Sequence, residues 1–225
     1  MTRKSAMNQL FNLIQDEYEI KSASDIEAAL LDMFGGFIEQ ALEAELDQQI
    51  VAENVLNRQF TADKPNQKWL TDVTEFKTAI GQKLYLSAIL DLYDRSIFAY
   101  EIGESNNNEL AFNNFDKAIA ANPGISPLVH SDRRFQYTSK KLKEKLNQIQ
   151  AVQSMSRVGR CLDNGPMEGF FGIIKAEMFY LRKFSCREEL RKAIHKYISF
   201  YNTKRRQKKL KGLAPITYRS QSLAA

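Results

Sequence analysis

Hydrophobic and polar positions alternate between residues 68 and 102, with the period of two that is typical of β-strands. Asp72 falls on the same side of the first strand as the apolar Leu70 and Phe76, because successive side chains point to opposite faces. The predicted strands are 68–76, 83–92 and 96–102, separated by the turn signals Gly81-Gln82 and Asp94-Arg95. Three consecutive strands with short turns predict an antiparallel meander.

After residue 103 the pattern changes to amphipathic helices that alternate with short apolar strands. Asn106 with Glu109 predicts a capping box for a helix that ends before Pro123. Pro166 suits the first turn of a later helix. The other predicted elements are a strand at 126–130, a helix at 138–147, a strand at 149–154 and a C-terminal helix with Ile194, Tyr197, Ile198 and Tyr201 on one face. This order predicts an α/β fold in which a mixed sheet is flanked by helices.

Residues 1–50 differ from the rest of the chain in both pattern and charge. Ser24 and Glu27 form a capping box for a helix with a wide apolar face. The segment has three basic and ten acidic residues, whereas the remaining residues have 29 and 17. We therefore predict an acidic helical leader at 1–50, a linker at 51–65 and a core at 66–220.

The basic residues are concentrated near the end of the chain. Twelve Lys and Arg lie within residues 182–211, against only Glu188 and Glu189. Such a density favours a polyanionic partner, although solvated basic helices are also common. The triplet Lys204, Arg205 and Arg206 is the candidate phosphate contact in this segment.

Composition narrows the class of protein further. A hydrophobic content of 44% supports a substantial core. No run of about 18 uncharged apolar residues predicts a membrane span, and acidic residues interrupt the start before a signal peptide could form. We therefore expect a cytoplasmic protein. The sequence has no P-loop, GxGxxG or GxSxG motif, and its two His and two Cys have no zinc-binding spacing.

The helix that begins near Pro166 carries one candidate acid. Met167, Phe170, Phe171, Ile174 and Met178 form its apolar stripe, and Glu168 stands at the edge of that stripe. Lys175 lies almost two full turns below Glu168 on the same face. A Glu with a Lys two turns later is by itself typical of a solvated helix face. Asn164 is in position to cap this helix.

Two further carboxylates change that interpretation. Asp132 follows the apolar run Pro127-Leu128-Val129, and Asp72 lies inside the first predicted strand. Three acids on two strands and a helix could converge on Mg²⁺ or Mn²⁺, because these ions prefer hard oxygen ligands. Asp91 and Asp94 are rival acids, but both fall at a strand end or turn where Asp is ordinary.

The stretches SRVGRCLDNGPMEGFFGIIK, HSDRRFQYTS and PNQKWLTDVTEF together resemble the DDE integrase-core domain of bacterial insertion-sequence transposases, which are relatives of retroviral integrase. The closing stretch YNTKRRQKKLKGLAPITY resembles the end of the same domain. The resemblance covers about residues 57–220. It implies a ribonuclease H-like fold, with an N-terminal helical segment added here. It also implies that Asp72, Asp132 and Glu168 meet above the middle of the sheet.

By this resemblance the chain would be a DNA transposase catalytic domain that hydrolyses phosphodiester bonds and transfers DNA strands. Asp72, Asp132 and Glu168 would be the catalytic residues and would hold two ions, Mg²⁺ or Mn²⁺. The expected DNA contacts are Lys175, Arg157, Asn164, Lys204, Arg205 and Arg206. The expected partners are transposon-end DNA, target DNA and further copies of the chain, with no membrane partner. Binding to DNA would then associate the cytoplasmic protein with the nucleoid.

Two departures from the family pattern leave an alternative open. Arg134 occupies a position that is normally Gly, which can hold a positive φ or allow a close backbone approach. The stretch FIEQALEAELDQQI resembles the leader of a different family, the Mutator-type transposases, and no DNA-reading module is evident in residues 1–50. The alternative is a truncated, non-catalytic remnant that binds DNA or a full-length transposase and regulates it.

Overall fold

The computed structural model describes residues 51–159 and 161–223, and the fold is built on a five-stranded mixed sheet. Strands β1 (Lys68–Lys77), β2 (Lys83–Asp91) and β3 (Ile97–Gly103) form the predicted antiparallel meander. Strand β4 (Leu128–Ser131) pairs parallel with β1, and β5 (Val152–Met155) pairs parallel with β4. The order β3-β2-β1-β4-β5 places β1 at the centre.

Helices connect these strands and cover both faces of the sheet. The helix Gly165–Ile174 follows a short 3-10 turn at Cys161–Asn164 and continues into a single π-helical turn at Lys175–Phe179. Within the described part of the chain, no helix combines the length and apolar character needed to cross a membrane. The helices are α1 (Asn108–Ala121), α2 (Phe135–Thr138), α3 (Lys140–Gln148), α4 (Gly165–Ile174), α5 (Arg187–Thr203) and α6 (Pro215–Leu223).

The two faces of the sheet bury separate hydrophobic clusters. Leu70 and Phe76 on β1 pack with residues of α4 and α5 on one face. Trp69 and Val73 pack with residues of α1, α2 and α3 on the other. This alternation along β1 confirms the predicted period of two and directs Asp72 toward the side that α4 covers.

Several element boundaries differ from those the sequence predicts. Asn107, one residue after the predicted Asn106, caps α1 by accepting a hydrogen bond of 3.0 Å from the Leu110 amide. Ser139 caps α3, which therefore begins at Lys140 rather than at residue 138. Strand β5 begins at Val152 rather than residue 149, because Gln150 adopts a left-handed φ of 54° that reverses the chain after α3.

Residues 51–65 contain no helix or strand, yet they pack against the core. Leu56 is 1% exposed, and its amide donates a hydrogen bond of 3.0 Å to the Ser154 hydroxyl. Asn54 and Arg58 both contact the buried Asp163. The domain boundaries at 50 and 65 remain predictions, and the helices predicted for residues 1–50 lie outside the described residues.

The rival acids Asp91 and Asp94 form structural contacts inside the fold. Both carboxylates are fully buried, and both form ion pairs with Arg219 of α6. Asp91 also accepts hydrogen bonds from two backbone amides, and Asp94 accepts one from the Ser96 amide at 2.8 Å. Their contacts join α6 to the β2–β3 turn, which agrees with the structural interpretation favoured from the sequence.

Candidate active site

The three predicted acids line one cleft at the middle of the sheet. Asp72 lies within the central strand β1, and Asp132 directly follows the neighbouring parallel strand β4. Glu168 lies in the first turn of α4, which covers this part of β1. The cleft has a volume of about 500 Å³ and is lined by Asp72, Asp132, Arg133, Arg134, Ser156, Arg157, Val158, Gly159, Asn164 and Glu168.

The acids of the cleft repel one another electrostatically. Burial and the charge of Asp132 together raise the pKa of Asp72 to about 7, although the Val73 amide and Arg134 act to lower it. Burial also raises the pKa of Asp132 and, by partial desolvation, that of Glu168. Ionisation of these carboxyl groups is therefore costly in the cleft, and a bound cation would offset that cost.

Arg134 lies across two of these acids. Its Nε is 3.0 Å from Asp132 Oδ2, and its Nη1 is 3.6 Å from Asp72 Oδ1. Nη1 also donates a hydrogen bond of 2.9 Å to the Val73 carbonyl. The backbone of Arg134 is extended, with φ −67° and ψ 156°, so this chain does not use the positive φ that a Gly at this position would permit.

Asn164 stands beside the acids and has an unused oxygen. Although it is at the N-cap position of α4, its side chain makes no capping hydrogen bond, so the capping interpretation is wrong. Its Nδ2 donates instead to the Thr71 carbonyl on β1 at 3.2 Å. Its Oδ1 is buried and accepts no hydrogen bond from any residue in the described part of the chain. The side chain thus joins α4 to β1 next to Asp72.

The donor set of the cleft fits a hard divalent cation. Its possible ligand atoms are the carboxylate oxygens of Asp72, Asp132 and Glu168 and the orphaned amide oxygen of Asn164. Among residues 51–159 and 161–223, however, no three His, Cys, Asp or Glu side chains are close enough together to hold one ion.

His130 takes no part in this donor set. It is fully buried on β4, with its two ring nitrogens 2.9 Å from the Ser154 hydroxyl and 3.1 Å from the Ser156 hydroxyl. Burial lowers the pKa of His130 to about 4. The residue is packed within the fold, as its position at the end of a predicted strand indicated.

Arg157 is held at the rim of the cleft by a buried acid that the sequence did not single out. Its Nε and Nη2 each lie 2.9 Å from the carboxylate of Asp163, whose side chain is fully buried. Arg58 and Asn54 bind the same carboxylate at 2.7 Å and 2.8 Å. These contacts hold the pKa of Asp163 well below its ordinary value. Asp163 therefore fixes Arg157 in place while half of the arginine side chain stays exposed.

Arg133 and Ser156 are further cleft residues that the sequence analysis missed. Arg133 Nε donates a hydrogen bond of 2.8 Å to the Ser156 carbonyl, and both residues line the cleft. The motif HSDRRF already shows two consecutive arginines after Asp132. Their proximity to Arg157 could not be read from the sequence, because it depends on the parallel pairing of β4 with β5.

Lys175 begins the π-helical turn after α4 and is partly buried. Its Nζ lies over the Phe76 ring, 5.6 Å from the centroid. Burial lowers the pKa of Lys175, while the charges of Glu75 and Asp72 act to raise it. Lys175 is therefore electrostatically coupled to Asp72, and its predicted DNA contact remains a prediction.

The basic triplet lies outside the cleft lining, and its members are not equivalent. Arg205 forms a bidentate pair with Glu177, with distances of 2.6 Å and 2.9 Å, and lies over the Tyr201 ring. Lys204 and Arg206 on either side are exposed. Their contact with DNA also remains a prediction.

Comparison with known proteins identifies the class of this fold and site. Two models described as integrase core domain match residues 62–161 and 168–223. The chain is 48% identical over 173 residues to a transposase-like protein of Haemophilus influenzae, covering 77% of the chain and 80% of that relative. It is 34% identical over 176 residues to the transposase InsF of insertion sequence IS3fB from Escherichia coli, covering 77% of the chain and 61% of InsF.

InsK of insertion sequence element IS150, also from Escherichia coli, is 45% identical over 172 residues, covering 76% of the chain and 60% of InsK. The chain thus spans about three fifths of the length of InsK and InsF. Among solved structures, the HTLV-2 integrase catalytic core domain in complex with magnesium aligns with a TM-score of 0.55 and 19% identity. That alignment covers 70% of this chain and 99% of the viral domain, and it shows the ribonuclease H-like fold.

The chain is therefore an integrase-core protein, a polynucleotidyl transferase by family. Within that class it belongs to the DDE transposases of bacterial insertion sequences. The predicted family and fold are confirmed. The alternative, a non-catalytic remnant, receives no support from these relatives. The likeness of residues 1–50 to Mutator-type leaders lies outside the described residues.

Proposed function

We propose that this domain cuts and joins DNA at insertion-sequence ends through two divalent ions held by Asp72, Asp132 and Glu168. The observation that carries the proposal is the convergence of these three acids on one cleft, from two strands and a helix that are far apart in sequence. Mg²⁺ and Mn²⁺ both suit an oxygen-only donor set. The magnesium bound by the structurally similar viral domain supports the same choice.

Each acid has its own role in this proposal. Asp72 is on the central strand and both other acids raise its pKa, so we propose that it would help to hold both ions. Asp132 and Glu168 would each help to hold one ion. When bound, such a pair of ions activates the attacking water or DNA 3′-hydroxyl and stabilises the departing oxygen of an in-line displacement. The protein supplies ligands and forms no covalent intermediate.

The rim of the cleft is suited to bind the DNA backbone. Arg133 and Arg157 are held by a carbonyl and a carboxylate respectively, with their side chains still partly exposed. Lys175 would contact DNA near the scissile phosphate, and Asn164 would orient the reacting end. Lys204, Arg205 and Arg206 would add phosphate contacts, which position a duplex without reading its sequence.

DNA is thus the proposed partner, both as element end and as target. We further propose that copies of the chain assemble on DNA, since joining two ends to a target requires two sites. An integrase from a simian T-cell lymphotropic virus intasome has the same fold, with a TM-score of 0.55 and 17% identity. For this chain we propose action in the cytoplasm on nucleoid DNA.

The direct test is cleavage and strand transfer of labelled insertion-sequence-end DNA by the full chain. We expect nicked and joined products with Mg²⁺ or Mn²⁺ and none after chelation with EDTA. Asp72→Asn should remove the products while DNA binding, measured by mobility shift, persists. The matched control is Asp116→Asn, an exposed acid outside the cleft that pairs with Lys145, which should retain metal-dependent cleavage. Equal product from Asp72→Asn and the parent would overturn the proposal.

A further inference from the structure

Arg134 places its positive charge beside Asp72 and Asp132, two of the proposed metal ligands. Its guanidinium contacts Asp132 through Nε at 3.0 Å and approaches Asp72 through Nη1 at 3.6 Å. Its backbone amide donates a further hydrogen bond of 3.1 Å to Asp132 Oδ1. The single positive charge of Arg134 therefore lies beside two carboxyl groups. It cannot neutralise both of them when both are ionised, so the two acids can still bind a divalent ion.

Arg134 can also leave this position readily. Its side chain is 51% exposed, compared with 14% for Asp72 and 27% for Asp132. Because the guanidinium is open to solvent, water can replace its contacts with the two acids and with the Val73 carbonyl when it moves. The backbone at Arg134 is ordinary and extended, so rotation about side-chain bonds is sufficient to move the guanidinium. No part of the core has to rearrange.

Away from Asp72 and Asp132, the mouth of the cleft offers Arg134 a second position. It lines the same cleft as Arg133 and Arg157, whose guanidinium groups are held at the rim by Ser156 and Asp163. A guanidinium that swings outward joins these two at the mouth of the cleft. A DNA phosphate at that mouth would offer Arg134 a strong alternative partner, since guanidinium binds phosphate and carboxylate with the same geometry.

We propose that Arg134 is a tethered counter-cation that competes with divalent metal for Asp72 and Asp132, and that DNA phosphate releases it. The inference rests on the proposed metal site. In the absence of DNA the guanidinium occupies the acid pair and weakens metal binding. With DNA bound, Arg134 turns to the backbone and metal binds more tightly. By linkage, metal and DNA then strengthen each other's binding by the same factor.

The test is titration of Mn²⁺ into the full chain, followed by the electron paramagnetic resonance signal of free Mn²⁺. Arg134→Gln should bind Mn²⁺ about tenfold more tightly than the parent, because it loses a charged hydrogen bond to a proposed ligand. Arg133→Gln removes the same charge from the same cleft without touching a carboxylate, so its affinity should change less than about threefold. Arg134→Lys, which keeps the charge, should stay near the parent.

Two further measurements separate the possible failures. An element-end duplex should raise the Mn²⁺ affinity of the parent but not that of Arg134→Gln, and the ¹⁵N signal of Arg134 Nε should shift when Mg²⁺ is added. Equal Mn²⁺ affinity in the parent, Arg134→Gln and Arg133→Gln would overturn this inference alone, provided that Asp72→Asn abolishes binding. Weaker binding by Arg134→Gln would also overturn it. If Asp72→Asn binds Mn²⁺ as well as the parent does, the proposed metal site itself is wrong.

Discussion

Two groups of aspartates in this domain differ in how their charge is neutralised. Asp163, Asp91 and Asp94 are fully buried, and each is paired with arginine: Asp163 with Arg157 and Arg58, the other two with Arg219. Asp72 and Asp132 are partly exposed, share the single guanidinium of Arg134, and repel each other. The first group stabilises the fold, whereas the second shares one exposed cation and is accessible to a ligand.

The pKa values of Asp163 and Asp72 differ in direction, whereas burial raises the pKa of Asp91 as it does that of Asp72. Hydrogen bonds from Arg157 hold the pKa of Asp163 well below its ordinary range, while burial and the neighbouring acid raise that of Asp72 to about 7. Two aspartates of the same domain, Asp163 and Asp72, therefore have opposite roles. Their partners, and not their identity, distinguish a structural acid from a candidate ligand.

The largest effect is expected from neutralising the cleft acids. Asp72→Asn, Asp132→Asn and Glu168→Gln should each lower metal-dependent nicking about a thousandfold or more, because the ligands act as one unit. For the same reason a double variant should resemble a single one. Nicking rates are compared at DNA concentrations that saturate each variant. Losses that multiply in the double variant would show that the acids act independently.

Removing Arg219 should affect stability and leave the cleft untouched. Arg219→Ala leaves Asp91 and Asp94 buried without their cation, and loss of one partner of a buried pair costs about 3 to 5 kcal/mol. The free energy of unfolding is measured by urea titration. The control is Arg187→Ala, which removes an exposed pair with Glu104 and should cost about 1 kcal/mol or less. Equal losses in both variants would contradict the structural assignment.

Asp163→Asn should lower the free energy of unfolding and should also weaken the contact that holds Arg157 in place. The parent's free energy of unfolding should exceed that of Asp163→Asn by more than the roughly 0.5 kcal/mol typical of surface changes. Since the folded pKa lies below the ordinary value of 3.8, this stabilisation is complete above about pH 4 and is lost as the pH falls further. Urea titrations at pH 7 and pH 3 should therefore show the two proteins converging at low pH.

The control for that experiment is Asp116→Asn, whose carboxylate is 54% exposed and pairs with Lys145. It should unfold like the parent at both pH values, because exposed pairs contribute little. A difference between parent and Asp163→Asn that persists unchanged at pH 3 would contradict the role assigned to the ionised Asp163 carboxylate.

The smallest effect concerns the basic triplet. Lys204→Ala and Arg206→Ala should each flatten the dependence of duplex affinity on salt by about one slope unit, provided that each side chain neutralises one phosphate. Arg205→Ala should change the slope less, because Arg205 already binds Glu177. The measurement is the slope of log affinity against log salt concentration. An equal change in all three variants would show that the Glu177 pair opens on DNA.

Much of the fold and the cleft could be predicted because local patterns determine them. The period of two along β1 gave the strand and the face of Asp72, and Pro166 with its apolar stripe gave α4. The motifs around Asp132 and Glu168 placed those acids at a strand end and a helix start. These features depend on residues within a few positions of each other, which is the range over which periodicity and capping are informative.

The pairings that decide the role of each side chain could not be predicted in the same way. Asp163 gave no signal in the sequence, because its partners Arg58 and Asn54 are over 100 residues away in the chain. Arg205 was predicted to bind DNA, but Glu177 reaches it only through the packing of α5 on the π-helical turn. Asn164 was a natural helix cap by position, yet its side chain binds β1 instead.

The binding of divalent metal by the cleft acids distinguishes them from the structural aspartates. It is tested most directly by a crystal structure of the full chain soaked in Mn²⁺, with anomalous scattering used to locate the ions. We expect Mn²⁺ bound to Asp72, with ions also contacting Asp132 and Glu168 and the guanidinium of Arg134 displaced from the acid pair. No Mn²⁺ in the cleft, at a concentration that supports DNA nicking, would contradict it.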